Sequence, residues 1–310
     1  MKIIAFNRML LLLLVVIALA ACTSTPTASP TATPVSESAA TATSAVSPTA
    51  TEEPTAVPPT DAPTAAPSAT PVPPSGNVFT FNGVEVTLPD AIASGASGSI
   101  VPASQEEGAP EFAINPEYTE IKLTDYPVEN TYFDGMIRVY PVADYTEISD
   151  TVEQRAQALQ ALLAEKPAAS DEEIPALPLY GAAQVLRTQV QYLDFANGSG
   201  VRFVTLYAQG VGPVTNQEIF YTYQGLTSDG AYWVSAILPV HATFLPADAE
   251  SADNPPADGV VFPEGATDAE QYNAYYQAIT DKLNAATADQ FTPDLTELDA
   301  MMQSLRVTAP

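Results

Sequence analysis

The chain has 310 residues with 29 Pro, one Cys and one His, and its 10 Lys+Arg against 37 Asp+Glu give a formal charge of −27. Such a charge excludes a phosphate-backbone partner, and the lone Cys and lone His exclude a disulfide framework, a Cys-rich zinc site and a Cys/His catalytic pair within one chain. Hydrophobic residues at 46% and aromatics at 8% suffice for one packed core, while the uneven proline places part of the sequence outside it.

Lys2 and Arg8 precede an apolar run over 9–21 that includes five consecutive leucines, Leu10 to Leu14. This is a secretory signal layout, and its thirteen residues fall short of the roughly 20 needed to span a hydrocarbon core. The run ends in Leu19-Ala20-Ala21-Cys22, which resembles the lipobox of bacterial lipoproteins. The small side chains of Ala20 and Ala21 fit a signal peptidase, and Cys22 supplies the sulfur that is alkylated with diacylglycerol. The resemblance implies cleavage between Ala21 and Cys22, leaving Cys22 as a lipidated N-terminus held in the membrane by acyl chains such as palmitate. Two or more chains anchor stably, because each buried methylene contributes only about 0.8 kcal/mol.

Over 23–75, 13 Thr, 12 Pro, 12 Ala and 8 Ser make up 45 of 53 residues, with no aromatic, Gly, Lys or Arg. That composition cannot bury enough apolar area to offset its ordering entropy, so a disordered spacer is expected. Its Thr/Ser density beside proline also matches O-glycosylated stalks, the alternative to an unmodified linker. The expected organisation is therefore a signal peptide over 1–21, a lipidated Cys and linker over 22–75, and one acidic domain over 76–310. The domain carries 33 acidic and 8 basic residues.

Within the domain, 79–88 holds two alternating runs joined by Asn82-Gly83, a hairpin signal because both residues tolerate positive φ. A Gly/Ser/Ala loop is expected over 93–108, then strands over 118–123 and 135–142. Asp150 with Glu153 marks a helix start, and Val152, Ala156, Leu159 and Leu163 repeat at helical spacing to give a helix over 150–166. Four strands over 183–195, 201–209, 218–226 and 231–239 follow at short spacing, which requires antiparallel pairing. A helix opening at Thr267 turns Tyr272, Tyr276, Ile279 and Leu283 inward. A last helix with Pro293 at its first position does the same with Leu295, Leu298, Met302 and Leu305. The fold class expected is α+β, a mostly antiparallel sheet built from a hairpin and a four-strand meander and packed by about three helices.

This element order, with the segments 81–89 and 223–226 and the ending Met301-Met302-Gln303-Ser304-Leu305-Arg306-Val307, resembles PsbP-like domains. The resemblance implies an α/β/α module with a binding or assembly role and no catalytic residue.

His241 is the one available imidazole base, and a Ser-His-Asp site would need it, yet no Gly-x-Ser-x-Gly elbow or phosphate-cradling loop accompanies it. Asp248, Glu250, Asp253 and Asp258 supply hard oxygen ligands of the kind Ca²⁺ prefers, in a spacing that fits no EF-hand and equally suits a solvated acidic loop. Tyr221 and Tyr223 share one face of their strand while Tyr232 and Trp233 point to opposite faces of theirs, offering either an exposed platform for a carbohydrate or peptide or ordinary cross-strand packing. No cofactor motif is present and the sequence carries no mark of oligomeric state. The functional expectation is a lipid-anchored envelope protein displaying a non-enzymatic binding domain, its partners the membrane through the anchor and an envelope protein or glycan. The alternatives are an envelope-polymer hydrolase using paired carboxylates, or a structural display domain.

Overall fold

The computed structural model describes residues 76–167 and 172–310. The signal, lipobox and linker readings lie outside the described residues. The first hairpin pairs β1 (Gly76–Phe81) with β2 (Val84–Pro89) through Asn82 at φ 47° and Gly83 at φ 78°, the two positive values a two-residue turn requires. Val84, Val86 and Leu88 alternate into the core while Glu85 faces solvent.

β3 (Gly95–Val101) overturns the loop expected over 93–108. Its glycines argue against a strand by propensity, but a Cβ on Gly98 would stand 2.2 Å from the Phe81 ring, so the missing side chain makes room for the first hairpin to pack against this strand. β4 (Tyr118–Thr124) and β5 (Met136–Pro141) continue the sheet. The chain then enters α1 (Val142–Ile148), a helix beyond the three expected from the sequence, which stops at Ser149 in an extended conformation. The Ser149 side chain accepts the Val152 N–H to cap α2 (Asp150–Glu165), so the cap lies one residue before the expected Asp150.

The remaining elements are β6 (Ala183–Gln184), β7 (Thr188–Phe195), β8 (Gly198–Thr205), β9 (Tyr207–Ala208), β10 (Phe220–Thr227), β11 (Tyr232–Pro239), β12 (His241–Ala242), α3 (Ala269–Ala285), β13 (Phe291–Thr292), α4 (Leu295–Gln303) and β14 (Arg306–Val307). Two expected strands, 183–195 and 201–209, each divide into a short and a long piece. The last helix begins at Leu295, capped by Asp294, rather than at Pro293.

The central sheet has seven strands in the order β3-β4-β5-β11-β10-β8-β7, with β7, β8, β10 and β11 forming the expected meander. A second sheet, β1-β2-β14, joins both ends of the described domain. The domain is α+β and its pairings are antiparallel. Strand alternation gives the central sheet two buried faces. Tyr221, Tyr223, Val234, Ala236 and Leu238 face the small sheet, α3 and α4. Val201, Phe203 and Trp233 face α1, α2 and the segment around Leu177. Leu295, Leu298, Met301, Met302 and Leu305 are fully buried, each worth about 1.5–3 kcal/mol of transfer free energy.

Candidate functional site

Cys22 and Ala21 lie outside the described residues. His241 is half-buried on β12, where burial holds its imidazole below the usual value, and among the described residues no hydroxyl or carboxylate is hydrogen-bonded to it. The acidic stretch does not converge. Asp248 receives the Ser251 N–H at 2.9 Å and hydroxyl at 2.8 Å, and Asp258 stands 3.5 Å from Lys282 Nζ. Among the described residues there is no group of three or more His, Cys, Asp or Glu side chains placed to hold a metal ion.

The aromatic platform is replaced by core. Tyr221 and Tyr223 are fully buried, with hydroxyls donated to Asp299 and to the Leu193 carbonyl, and Trp233 donates its indole N–H to Gln224 at 2.8 Å. The strands alternate as expected, but both faces of this sheet are covered, so alternation sorts these rings between two cores instead of between core and solvent. Tyr232, the half-buried ring, borders a shallow depression of about 210 Å³ between the first hairpin and β4, along with Tyr118, Glu117 and Asp144.

Burial pushes two carboxyls up, Glu218 and Asp299. They sit in different settings. Glu218 accepts the Thr215 hydroxyl at 3.0 Å, while Asp299 is paired with Arg202 and Tyr221.

Among the described residues, a groove of about 520 Å³ lies on the solvent side of the core around Trp233. One wall is α2, whose Glu153, Ala156, Gln157, Gln160, Leu163 and Ala164 recur three and four residues apart and so share one helix face. The other wall is the β10–β11 turn, Thr227 to Gly230, with Ser199 from β8. Val142, Leu163 and Leu226 supply the apolar floor; Leu163 belongs to the buried cluster around Trp233, and Val142 and Leu226 are half-buried against it. The turn is braced from within. Asp229 accepts the Thr227 hydroxyl at 2.6 Å and the Ala231 N–H at 3.0 Å, which hold its carboxyl below the usual range. Sequence reading of 150–166 followed the apolar stripe of α2 into the core. The signal for the groove is the adjoining stripe of Glu153, Gln157, Gln160 and Ala164, which meets the apolar stripe at Ala156 and Leu163.

No family model, curated protein or solved structure matches this chain.

Proposed function

We propose that this chain is a lipid-anchored cell-envelope protein whose domain over 76–310 works as a binding module through the groove along α2. The anchor rests on Leu19-Ala20-Ala21-Cys22 and on Cys22 being the single cysteine of the chain. The Thr/Pro/Ala/Ser-rich stretch over 23–75 is the spacer between membrane and domain. Among the described residues no helix is long and apolar enough to cross a membrane.

The observation that carries the binding reading is the groove itself. It is open to solvent, part of its lining is apolar, and its walls present amide, hydroxyl and carboxylate groups at the surface.

Each half has its own test. Replacing Cys22 with Ser is expected to move the protein from the membrane fraction to the soluble one; continued membrane binding of the processed variant ends the anchor reading. Thermal melts of the full chain against sugars, peptides and Ca²⁺, each matched for ionic strength with NaCl, test the groove, because a ligand that prefers the native state raises the midpoint by mass action. A rise with one organic class, absent when Gln160 is replaced by Arg, is expected. A midpoint indifferent to every ligand ends the binding reading.

A further inference from the structure

We propose that the groove along α2 takes an extended basic polypeptide segment, in which Lys or Arg side chains alternate with apolar ones. The inference rests on the binding reading and adds the chemistry of the ligand.

Shape comes first. From Glu153 to Ala164 the helix advances about 16 Å at 1.5 Å per residue, the length of about five residues of extended chain at 3.3 Å each. The groove is therefore long enough for such a segment, and small residues on both sides, Ala156, Ala164, Ser199 and Gly230, line it. Gln157 and Gln160 carry both donors and acceptors, which suits the alternating N–H and C=O groups of a strand-like main chain. Val142, Leu163 and Leu226 receive apolar side chains on the floor.

Charge selects the rest. Glu153 and Asp229 stand on opposite walls, and no Lys or Arg lines the groove. The domain offers little positive charge elsewhere. Six of its eight cations already sit beside carboxylates: Lys122 and Arg138 at Glu120, Arg155 at Glu173, Lys166 at Asp194, Arg202 at Asp299 and Lys282 at Asp258. With 33 acidic residues over 76–310, the surrounding field attracts a cationic partner and repels an anionic one. A glycan is disfavoured by the lining itself, which holds no aromatic ring for a sugar face to stack on.

The test uses the full chain and its single tryptophan, because Trp233 packs in the cluster that forms the groove floor. Three probes are titrated: the capped pentapeptide Lys-Leu-Lys-Leu-Lys, its Glu-Leu-Glu-Leu-Glu counterpart, and the tetramer of N-acetylglucosamine. The lysine peptide is expected to shift Trp233 emission saturably, with affinity that falls as salt rises. Glu153→Lys, at an exposed helix position, is expected to weaken it by about tenfold or more. Asp281→Lys makes the same charge change at an exposed site on α3, across the sheet from the groove, and is expected to cost less than about twofold. Equal weakening by the two variants means that the peptide answers the general field and not the groove, which overturns the proposal. A response to the sugar or the glutamate peptide, with none to the lysine peptide, overturns the ligand class and leaves the binding module standing. Silence from all three probes overturns both.

Discussion

Arg202 on β8 reaches Asp299 on α4 with two contacts, Nε to Oδ1 at 3.1 Å and Nη2 to Oδ2 at 3.3 Å, and the two side chains are only 7% and 13% exposed. The same guanidinium donates to the Gln189 carbonyl and, at 2.6 Å, to Gln191 Oε1, while Tyr221 donates its hydroxyl to Asp299 at 3.0 Å. A charge pair on the inner face of a sheet carries a large desolvation cost, which these extra hydrogen bonds offset. Its consequence is positional: the pair fixes α4 in register across the central sheet, and β14 follows α4 into the second sheet.

Asp299→Ala is therefore expected to destabilise the domain by about 3–5 kcal/mol, since it leaves the buried Arg202 guanidinium and Tyr221 hydroxyl without their acceptor. Urea unfolding of the full chain measures it. Replacing both partners, as Arg202→Met with Asp299→Leu, should recover part of that loss. A single-variant loss under about 1 kcal/mol would show that the guanidinium finds water or another acceptor and that the pair does not fix α4.

Gln224 plays the matching part on the opposite face. Its Oε1 accepts the Leu177 N–H at 3.0 Å and the Trp233 indole N–H at 2.8 Å, and its Nε2 donates to the Leu177 carbonyl at 3.0 Å and to Thr222 Oγ1 at 2.9 Å. One side chain thus closes the backbone of the segment that covers this face. Gln224→Leu preserves size but strands two buried donors, for an expected loss of roughly 2–4 kcal/mol. Near-ultraviolet circular dichroism of Trp233 should change with it, and an unchanged tryptophan signal in a destabilised variant would place the loss elsewhere.

Much of this architecture was legible. The Asn82-Gly83 hairpin, the meander and the three longer helices follow from turn chemistry and from periods of 2 and 3.6 residues, which are local properties. β3 was hidden because Gly98 is selected by contact with Phe81, seventeen positions away, and composition reports the glycine without the contact. α1 was hidden because Val142, Tyr145 and Ile148 give only two helical steps directly after a strand. The aromatic alternation leaves exposure open between a platform and cross-strand packing, since one strand cannot report whether its outer face meets solvent or a second layer. The groove forms between α2 and a turn more than sixty residues later, a pairing that no window of the sequence contains.

The charge balance makes a prediction of its own. With 33 acidic and 8 basic residues over 76–310, the native state crowds like charges that the unfolded chain spreads apart. Added salt shortens the Debye length from about 30 Å at 0.01 M to about 3 Å at 1 M, so screening should favour the folded form. Relief of about 1–2 kcal/mol corresponds to a midpoint rise of roughly 2–8 °C for a domain of this size. NaCl and KCl should act alike, because screening depends on ionic strength. A midpoint that falls with salt would mean that the six ion pairs outweigh the surplus carboxylates.

Acidification should act in the same direction at first, although individual groups contribute with opposite signs. Burial raises the Glu218 and Asp299 carboxyls, so the native state binds those protons more tightly than the unfolded state does. Their ionisation opposes folding at neutral pH, and stability is recovered as pH falls through the raised values towards the ordinary 4.5 and 3.8. His241 behaves oppositely, because burial holds its imidazole below the ordinary 6.5 and the unfolded state binds that proton more tightly as pH falls, a single-site loss set against the relief of self-repulsion among the surplus carboxylates. So do Asp229 and Asp248. Hydrogen bonds from Thr227 and from Ser251 hold their carboxyls below the usual range, so what they contribute is present above the ordinary value and is lost as pH falls through the lowered one. The melting midpoint should therefore rise from pH 7.5 to about pH 5 and fall again below about pH 4. High salt separates the two sources of the rise: the portion from surface repulsion shrinks with screening, while the portion from buried Glu218 and Asp299 persists. Melts across that range at low and high NaCl decide it. A midpoint that declines steadily from pH 7.5 downward would mean that neither self-repulsion nor the two buried carboxyls limit stability at neutral pH.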